Sequence, residues 1–248
     1  MTKSIKIFGF HGIESILLNN PELILKVLIQ YERKDKRIIH LINNLDSQKI
    51  SYSYADRINL DKISKGEIHQ GVISEIILPP ALNEDSLFKS IDTFNQKPMI
   101  LILDSVQDPR NLGACLRSAN AAGVSHVVIN KDGSAPINSL VHRASAGALN
   151  SLQIFHVTNL SRTIKQIKKK DIWVVGLDGS NQSSLYDVNL TDSIAIVVGS
   201  EGKGIRQLIK KNCDQVVSIP MFGNVESLNV SVATAISLFE IKRQREST

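Results

Sequence analysis

The sequence predicts an α/β protein in two parts, with a parallel sheet in the larger, C-terminal part. Three observations carry this. Short continuous apolar runs recur at residues 99–103 (MILIL), 127–129 (VVI), 172–176 (IWVVG) and 194–198 (IAIVV), the pattern of strands buried on both faces of a parallel sheet. Helical segments separate them, as in successive βαβ units. Before Pro79-Pro80 the chain alternates between short helical and strand patterns, the mark of a smaller α/β domain.

The elements of the first part follow from local pattern. Residues 12–18 read as a short helix and residues 25–29 (LKVLI) as a strand. From 34 to 45, Ile38, Ile39, Leu41, Ile42 and Leu45 recur at helical spacing, and residues 50–54 and 69–74 read as strands. No catalytic cluster falls in this part. A polar stretch, "ALNEDSLFKSIDTFNQKP", has room for one short helix but reads as a connector. The expected division is a domain over residues 1–78, a linker over 79–97 and a main domain over 98–248.

The chain has 248 residues, of which 42% are hydrophobic, enough for proper cores. No apolar run approaches about 18 residues, so no membrane span is expected. Cys115 and Cys213 lack metal-type spacing and no apolar leader opens the sequence, so a reduced, cytoplasmic protein is expected. The net charge of +5 permits a nucleic-acid partner without requiring one.

Three stretches carry chemistry. In Asp108-Pro-Arg-Asn-Leu-Gly-Ala-Cys-Leu-Arg, which follows a strand, Pro109 and Asn111 suit a helix start and Gly123 its stop. Leu112, Cys115, Leu116, Ala119 and Ala122 share the core face. The opposite face (Gly113, Ala114, Arg117, Ala121) is nearly bare. Either a ligand or another backbone comes close there, or the helix packs on both sides with Arg117 paired to a carboxylate. In "IVVGSEGKGI", glycines 199, 202 and 204 allow a tight turn around a ligand. The pattern is neither a dinucleotide fingerprint nor a P-loop. Glu201 argues against a polyphosphate and suits a cationic or hydroxyl-rich ligand such as S-adenosylmethionine. The alternative is an ordinary strand-to-helix turn with Glu201 near a helix N-terminus. In "SIPMFGNVESLNVSVATAI", Ser227 and Asn229 suit helix capping, or offer donors and acceptors to a sugar or amino-acid end.

In order and spacing, these stretches resemble the Asn-x-Gly-Ala-x-x-Arg, Gly-x-Glu-Gly and Ser-Leu-Asn-Val-Ser motifs of the SpoU/TrmH branch of the SPOUT methyltransferases. "LILDSVQDPRNLGACLRSANAAGV", "SIPMFGNVESLNVSVATAISLFE", "GFHGIESIL" and "HQGVIS" extend the resemblance to nearly the whole chain, toward bacterial enzymes that methylate a guanosine 2′-oxygen of 23S rRNA. It implies a trefoil-knotted methyltransferase domain with a parallel sheet, an L30e-like RNA-binding domain before it, and a homodimer with the active site near the subunit interface. Its cofactor would be S-adenosylmethionine, held by Leu177, Gly179, Gly199, Ser200, Gly202, Ile219, Met221 and Leu228. Position 178 is Asp where a small neutral residue is expected. Arg117 would be essential to the reaction, with Asn111, Glu201, Ser227 and Asn229 positioning ribose, arginine and cofactor. No metal is required. The substrate implied is 23S rRNA, in the peptidyl-transferase-centre region, or a large-subunit assembly intermediate. A tRNA substrate and a non-catalytic RNA-binding assembly factor are the alternatives.

Other features read more simply. "KQIKKKD" (165–171) and Lys242, Arg243 and Arg245 read as solvated basic faces or RNA-backbone contacts. "HRASAGAL" (142–149) suggests a close helix contact, Trp173 a core position, and Cys115 an inert buried thiol.

Overall fold

The computed structural model describes residues 4–78 and 81–247. Pro79 and Pro80, which punctuate the sequence, lie outside them. The chain begins β1 (Ser4–Phe8), α1 (Phe10–Asn19), β2 (Ile24–Gln30), α2 (Lys36–Ser47), β3 (Tyr52–Ala55), α3 (Arg57–Ser64), β4 (Val72–Ile77). It continues α4 (Glu84–Thr93), β5 (Met99–Asp104), α5 (Pro109–Ala121), β6 (His126–Asn130), α6 (Ser139–Ala144), β7 (Ile154–Val157), α7 (Leu160–Lys168). It ends β8 (Trp173–Leu177), β9 (Ile194–Gly199), α8 (Gln207–Lys210), β10 (Gln215–Val217), α9 (Val230–Glu246). Asp or Asn side chains cap the N-termini of α2, α3, α4, α5, α6, α7 and α9, satisfying amides that the helix itself leaves unpaired.

Contacts divide the chain into two units, one spanning Met1–Pro80 with Ile137–Ser151, the other Ala81–Pro136 with Leu152–Thr248. In the first, a mixed sheet of order β1-β4-β2-β3 packs Val27, Ile29 and Val72 against Ile13, Ile16, Ile38, Leu41 and Leu45 of α1 and α2. β1 and α3 exceed what periodicity shows, since each offers only two or three apolar positions. Residues 137–151, expected within the C-terminal domain, group with this unit. The small-residue run there does make a close helix contact: a Cβ on Gly147 would lie 2.5 Å from Ser15 of α1, whose hydroxyl donates to the Gly147 carbonyl at 3.0 Å.

In the second unit the described residues form a six-stranded sheet, order β10-β8-β9-β5-β6-β7, parallel throughout. β5 and β9 are buried along their whole length, as their unbroken apolar runs require. One face is covered by α4, α7 and α8 through Leu87, Ile91, Ile164, Ile167 and Ile209. Each such side chain contributes about 1.5–3 kcal/mol on burial. The stretch expected to be a linker therefore holds a core helix. Its two deep anchors, Leu87 and Ile91, are too few to mark it against a polar background. β7, likewise unread, is a four-residue strand at the sheet edge.

The topology places the site. The sequence runs outward from β5 through β6 and β7, then crosses back to β8 and β9 on the other side. Register pairs Asp104 with Gly199 and Leu177 with Val198, so β5, β9 and β8 end at one edge. Open α/β sheets bind ligands at the carboxyl ends of strands, where the strand order reverses. No helix among the described residues is long and apolar enough to cross a membrane.

Candidate active site

The turn after β9 is built by glycine at three points. Gly199 meets the returning chain: a Cβ there would lie 2.0 Å from the Gly204 carbonyl carbon. Gly202 and Gly204 have positive φ, 76° and 62°. The Gly204 amide donates to the Ser200 carbonyl at 2.9 Å, closing residues 200–204 into a small loop. Helix α8 begins only at Gln207, so Glu201 does not sit at its N-terminus.

Two helix starts meet this turn. α5 opens with Asp108, whose carboxylate accepts from the amides of Arg110 (2.6 Å) and Asn111 (3.1 Å). α9 opens with Asn229, whose Oδ1 accepts from the Ser231 amide (2.8 Å) and hydroxyl (2.7 Å). The Asn229 amide Nδ2 donates to Asn111 Oδ1 at 3.1 Å and to a Glu201 carboxylate oxygen. All four hydrogen-bonding positions of the side chain are used. α5 and α9 pack side by side through a buried contact of Cys115 Sγ with Thr234 Oγ1 at 3.4 Å. Burial pushes the Cys115 thiol up to about 11, so it stays protonated and inert. The five predicted core-face residues of α5 are buried. On the opposite face Gly113 is also buried, and Arg117 is exposed. Arg117 makes no ion pair or hydrogen bond among the described residues, so the expected alternative of a paired carboxylate is not realised.

Beside this junction lies a cavity of about 580 Å³. Gly199, Ser200 and Gly202 line it from the turn, and Leu177 and Gly179 from the end of β8. Ile219, Met221 and Leu228 line it from the segment that leads into α9. All eight residues expected around a cofactor are thus brought together. Of the five expected to act on the substrate, Glu201 and Ser227 line the cavity, Asn111 and Asn229 stand behind Glu201, and Arg117 lies apart along α5. Ser227 caps no helix among the described residues; Asn229 caps α9. Sequence reasoning missed Lys210 and Glu226, which also line the cavity and lie outside the three motifs. Asp178 lines it too, and its charge is compensated by an ion pair with Lys210.

Several other expectations change. Lys168 pairs with Asp214 at 2.8 Å and Lys170 with Asp92, so the basic end of α7 is partly tied down. Arg245 donates to the carbonyls of Lys97, Pro98 and Asp192 (3.2, 3.1 and 2.6 Å), a structural fastening and not a free basic face. Trp173 is partly exposed at the start of β8. His142 is buried and Arg143 pairs with Glu67.

Comparison with known proteins identifies the family. The SpoU rRNA Methylase family model matches residues 98–239, and the model for RNA 2′-O ribose methyltransferase substrate binding matches residues 6–80. The chain belongs to the SpoU rRNA methylase family. Within that family, the Haemophilus influenzae 23S rRNA (guanosine-2′-O-)-methyltransferase RlmB is 45% identical over 97% of this chain and 98% of its own. The Escherichia coli K12 protein of the same name is 44% identical over 96% and 98%. Among solved SpoU structures, AviRb from Streptomyces viridochromogenes in complex with AdoMet superposes with a TM-score of 0.81 at 21% identity, covering 99% of this chain and 92% of its own. The Aquifex aeolicus TrmH/SpoU tRNA modifying enzyme is 32% identical with a TM-score of 0.56, covering 61% of this chain and 77% of its own.

Proposed function

We propose that this protein transfers a methyl group from S-adenosylmethionine to the ribose 2′-oxygen of a guanosine in 23S rRNA, within the peptidyl-transferase-centre region, during large-subunit maturation. The observation that carries the reading is the meeting of three distant motifs beside one cavity, with Asn229 bonded to both Asn111 and Glu201. The rRNA substrate is supported by relatives of that name that match almost the whole chain.

The cavity suits the cofactor. At about 580 Å³ it falls within the ~300–1,000 Å³ of small-molecule sites. Leu177, Ile219 and Leu228 offer apolar walls for a flat base, and the turn at Gly199, Ser200 and Gly202 brings backbone close, with Gly179 and Met221 completing the wall. Glu201 and Glu226 suit hydroxyls or a cation. When bound, S-adenosylmethionine supplies a methyl group activated by a positively charged sulfur. Transfer releases the 2′-hydroxyl proton to an RNA phosphate or to water, while the protein aligns the hydroxyl and holds it close. A guanidinium stays protonated and is a poor base. Arg117 therefore acts as a donor, holding an RNA phosphate and stabilising the developing alkoxide. Its exposed, unpaired side chain leaves its donors for RNA. Glu201, Asn229 and Asn111 form the frame that orients these groups, with Ser227 adding a hydroxyl at the cavity wall.

The reading extends to the rest of the chain. Ile219, Met221 and residues 226–228 line one cavity with 177–180 and 198–204, the crowding that a trefoil knot threaded by the C-terminal segment produces. Residues 1–78 serve as an L30e-like RNA-binding domain. The protein acts as a cytoplasmic homodimer, with the active site near the subunit interface and no metal.

Transfer of labelled methyl from S-adenosylmethionine to unmodified 23S rRNA and to bulk tRNA tests the proposal. Label on a guanosine 2′-oxygen of 23S rRNA is expected. Label on tRNA alone would overturn the substrate, and no label with no calorimetric cofactor binding would favour an assembly factor without catalysis.

A further inference from the structure

We propose that Asp104, Arg206, Asp178 and Lys210 form a two-sided clamp on the turn after β9, and that the two aspartates are positioning residues for cofactor binding. This rests on the S-adenosylmethionine reading above. Asp104 is the last residue of β5, and its side chain has no exposure. One carboxylate oxygen accepts from the Arg206 amide at 2.9 Å, and the other from the Arg206 guanidinium Nε at 2.8 Å and Nη2 at 2.7 Å. A buried carboxylate is tolerated only with such partners, so the contact fixes Arg206 firmly. Arg206 follows the turn directly, and Gly199, which precedes it, pairs with Asp104 in register. Asp104 therefore holds both ends of the turn, Gly199 through the strand register and Arg206 through its carboxylate.

The other side is held one helical turn later. Lys210, four residues beyond Arg206, pairs with Asp178, the residue just past β8. Their side chains are only 22% and 11% exposed. The second oxygen of Asp178 accepts from the Ser180 amide (2.9 Å) and hydroxyl (2.7 Å). β9 lies between β5 and β8, so the chain leaving it is pinned to both neighbours. Between Gly199 and the first pin at Arg206 lies Glu201, the residue that must reach Asn229. The Asp178–Lys210 pair itself lines the cavity, so the unexpected carboxylate at 178 is one half of a local latch. A turn released on either side has to be ordered again when ligand binds. The loss falls on affinity, and chemistry at saturation is spared.

The test uses Asp178→Asn, Lys210→Met, the reversed pair (Asp178→Lys with Lys210→Asp) and Asp104→Asn in the full chain. Three quantities are read: S-adenosylmethionine affinity by calorimetry, single-turnover methyl transfer at saturating cofactor, and hydrogen exchange of amides 200–206 without ligand. The single variants are expected to weaken affinity by about tenfold, keep the saturated rate within about twofold and speed exchange in the turn, with the reversed pair restoring part of the affinity, since a lysine at 178 cannot accept from Ser180. Unchanged affinity and exchange in Asp178→Asn and Lys210→Met would overturn the clamp, as would a loss confined to the saturated rate. If Asp104→Asn fails to fold, the more accessible Asp178–Lys210 pair still decides. A wild-type protein that binds no S-adenosylmethionine would defeat the cofactor reading, while the exchange measurement would still judge the clamp.

Discussion

Asn229 joins helix capping to site assembly through one side chain. Its oxygen is committed to α9 and its nitrogen to Asn111 and Glu201, so it cannot be replaced in one role without loss in the other. Replacing it with Ala should cost about 1 kcal/mol of stability through the lost cap, read as a lower melting temperature, and should lower methyl transfer as well. Gly199→Ala should fail outright: the added carbon would sit 2.0 Å from backbone that nothing can move aside, and calorimetry should find no cofactor binding. Arg117→Ala is expected to reduce single-turnover transfer by about 100-fold or more while leaving cofactor affinity intact, since the side chain lies outside the cavity. Glu201→Ala should reduce transfer too. Undiminished methylation by that variant would remove the carboxylate from the mechanism.

Helix α5 shows how an element presents a residue. Its core face is set by spacing, its start by Asp108 and Pro109, and its end by Gly123 at φ 74°. Those features were readable in the chain, and they fix which side Arg117 takes. What the chain did not show was the partner, α9, whose apolar and small residues are spread around the helix with no sharp stripe. Val230, Thr234, Leu238 and Ile241 are buried while Val232 and Phe239 are exposed. Truncating the buried face of α5 with Leu116→Ala should cost about 2–5 kcal/mol in a urea titration. Because α5 and α9 carry Asn111 and Asn229, cofactor affinity should fall with it even under conditions where the protein stays folded.

Among the described residues, burial lowers the pKa of three imidazoles, those of His126, His142 and His156. His126, wedged between Phe94 and Phe155, has its pKa lowered to about 4, and His142 likewise to about 4. An unfolded histidine titrates near 6.5. Between about pH 6.5 and 4 the unfolded chain binds protons that the folded chain refuses. This contribution to stability is therefore complete above about pH 6.5 and lost as pH falls, by at most about 1.4 kcal/mol per pH unit for each histidine. Urea midpoints should drop between pH 7 and pH 4.5, and His126→Phe should flatten the decline. An unchanged slope in that variant would place the pH dependence elsewhere.

The sequence by itself determined the sheet-and-helix alternation and the buried strands β5, β6, β8 and β9, which depend on apolar runs, glycine and capping chemistry acting over a few neighbouring residues. Its resemblance to a family, carried by motifs, named eight of the residues that line the cavity. It also located Asn111, Glu201 and Asn229, through motif order. Only the tertiary structure decided that Asn229 bridges the other two, because a hydrogen bond between residues 118 positions apart leaves no local trace. The same holds for Lys210 beside Asp178, for Arg245 on the carbonyls of distant loops, and for α4 as a core helix. The grouping of 137–151 with the N-terminal unit is of this kind too. Each turns on which surfaces meet, and that is set by packing the whole chain at once.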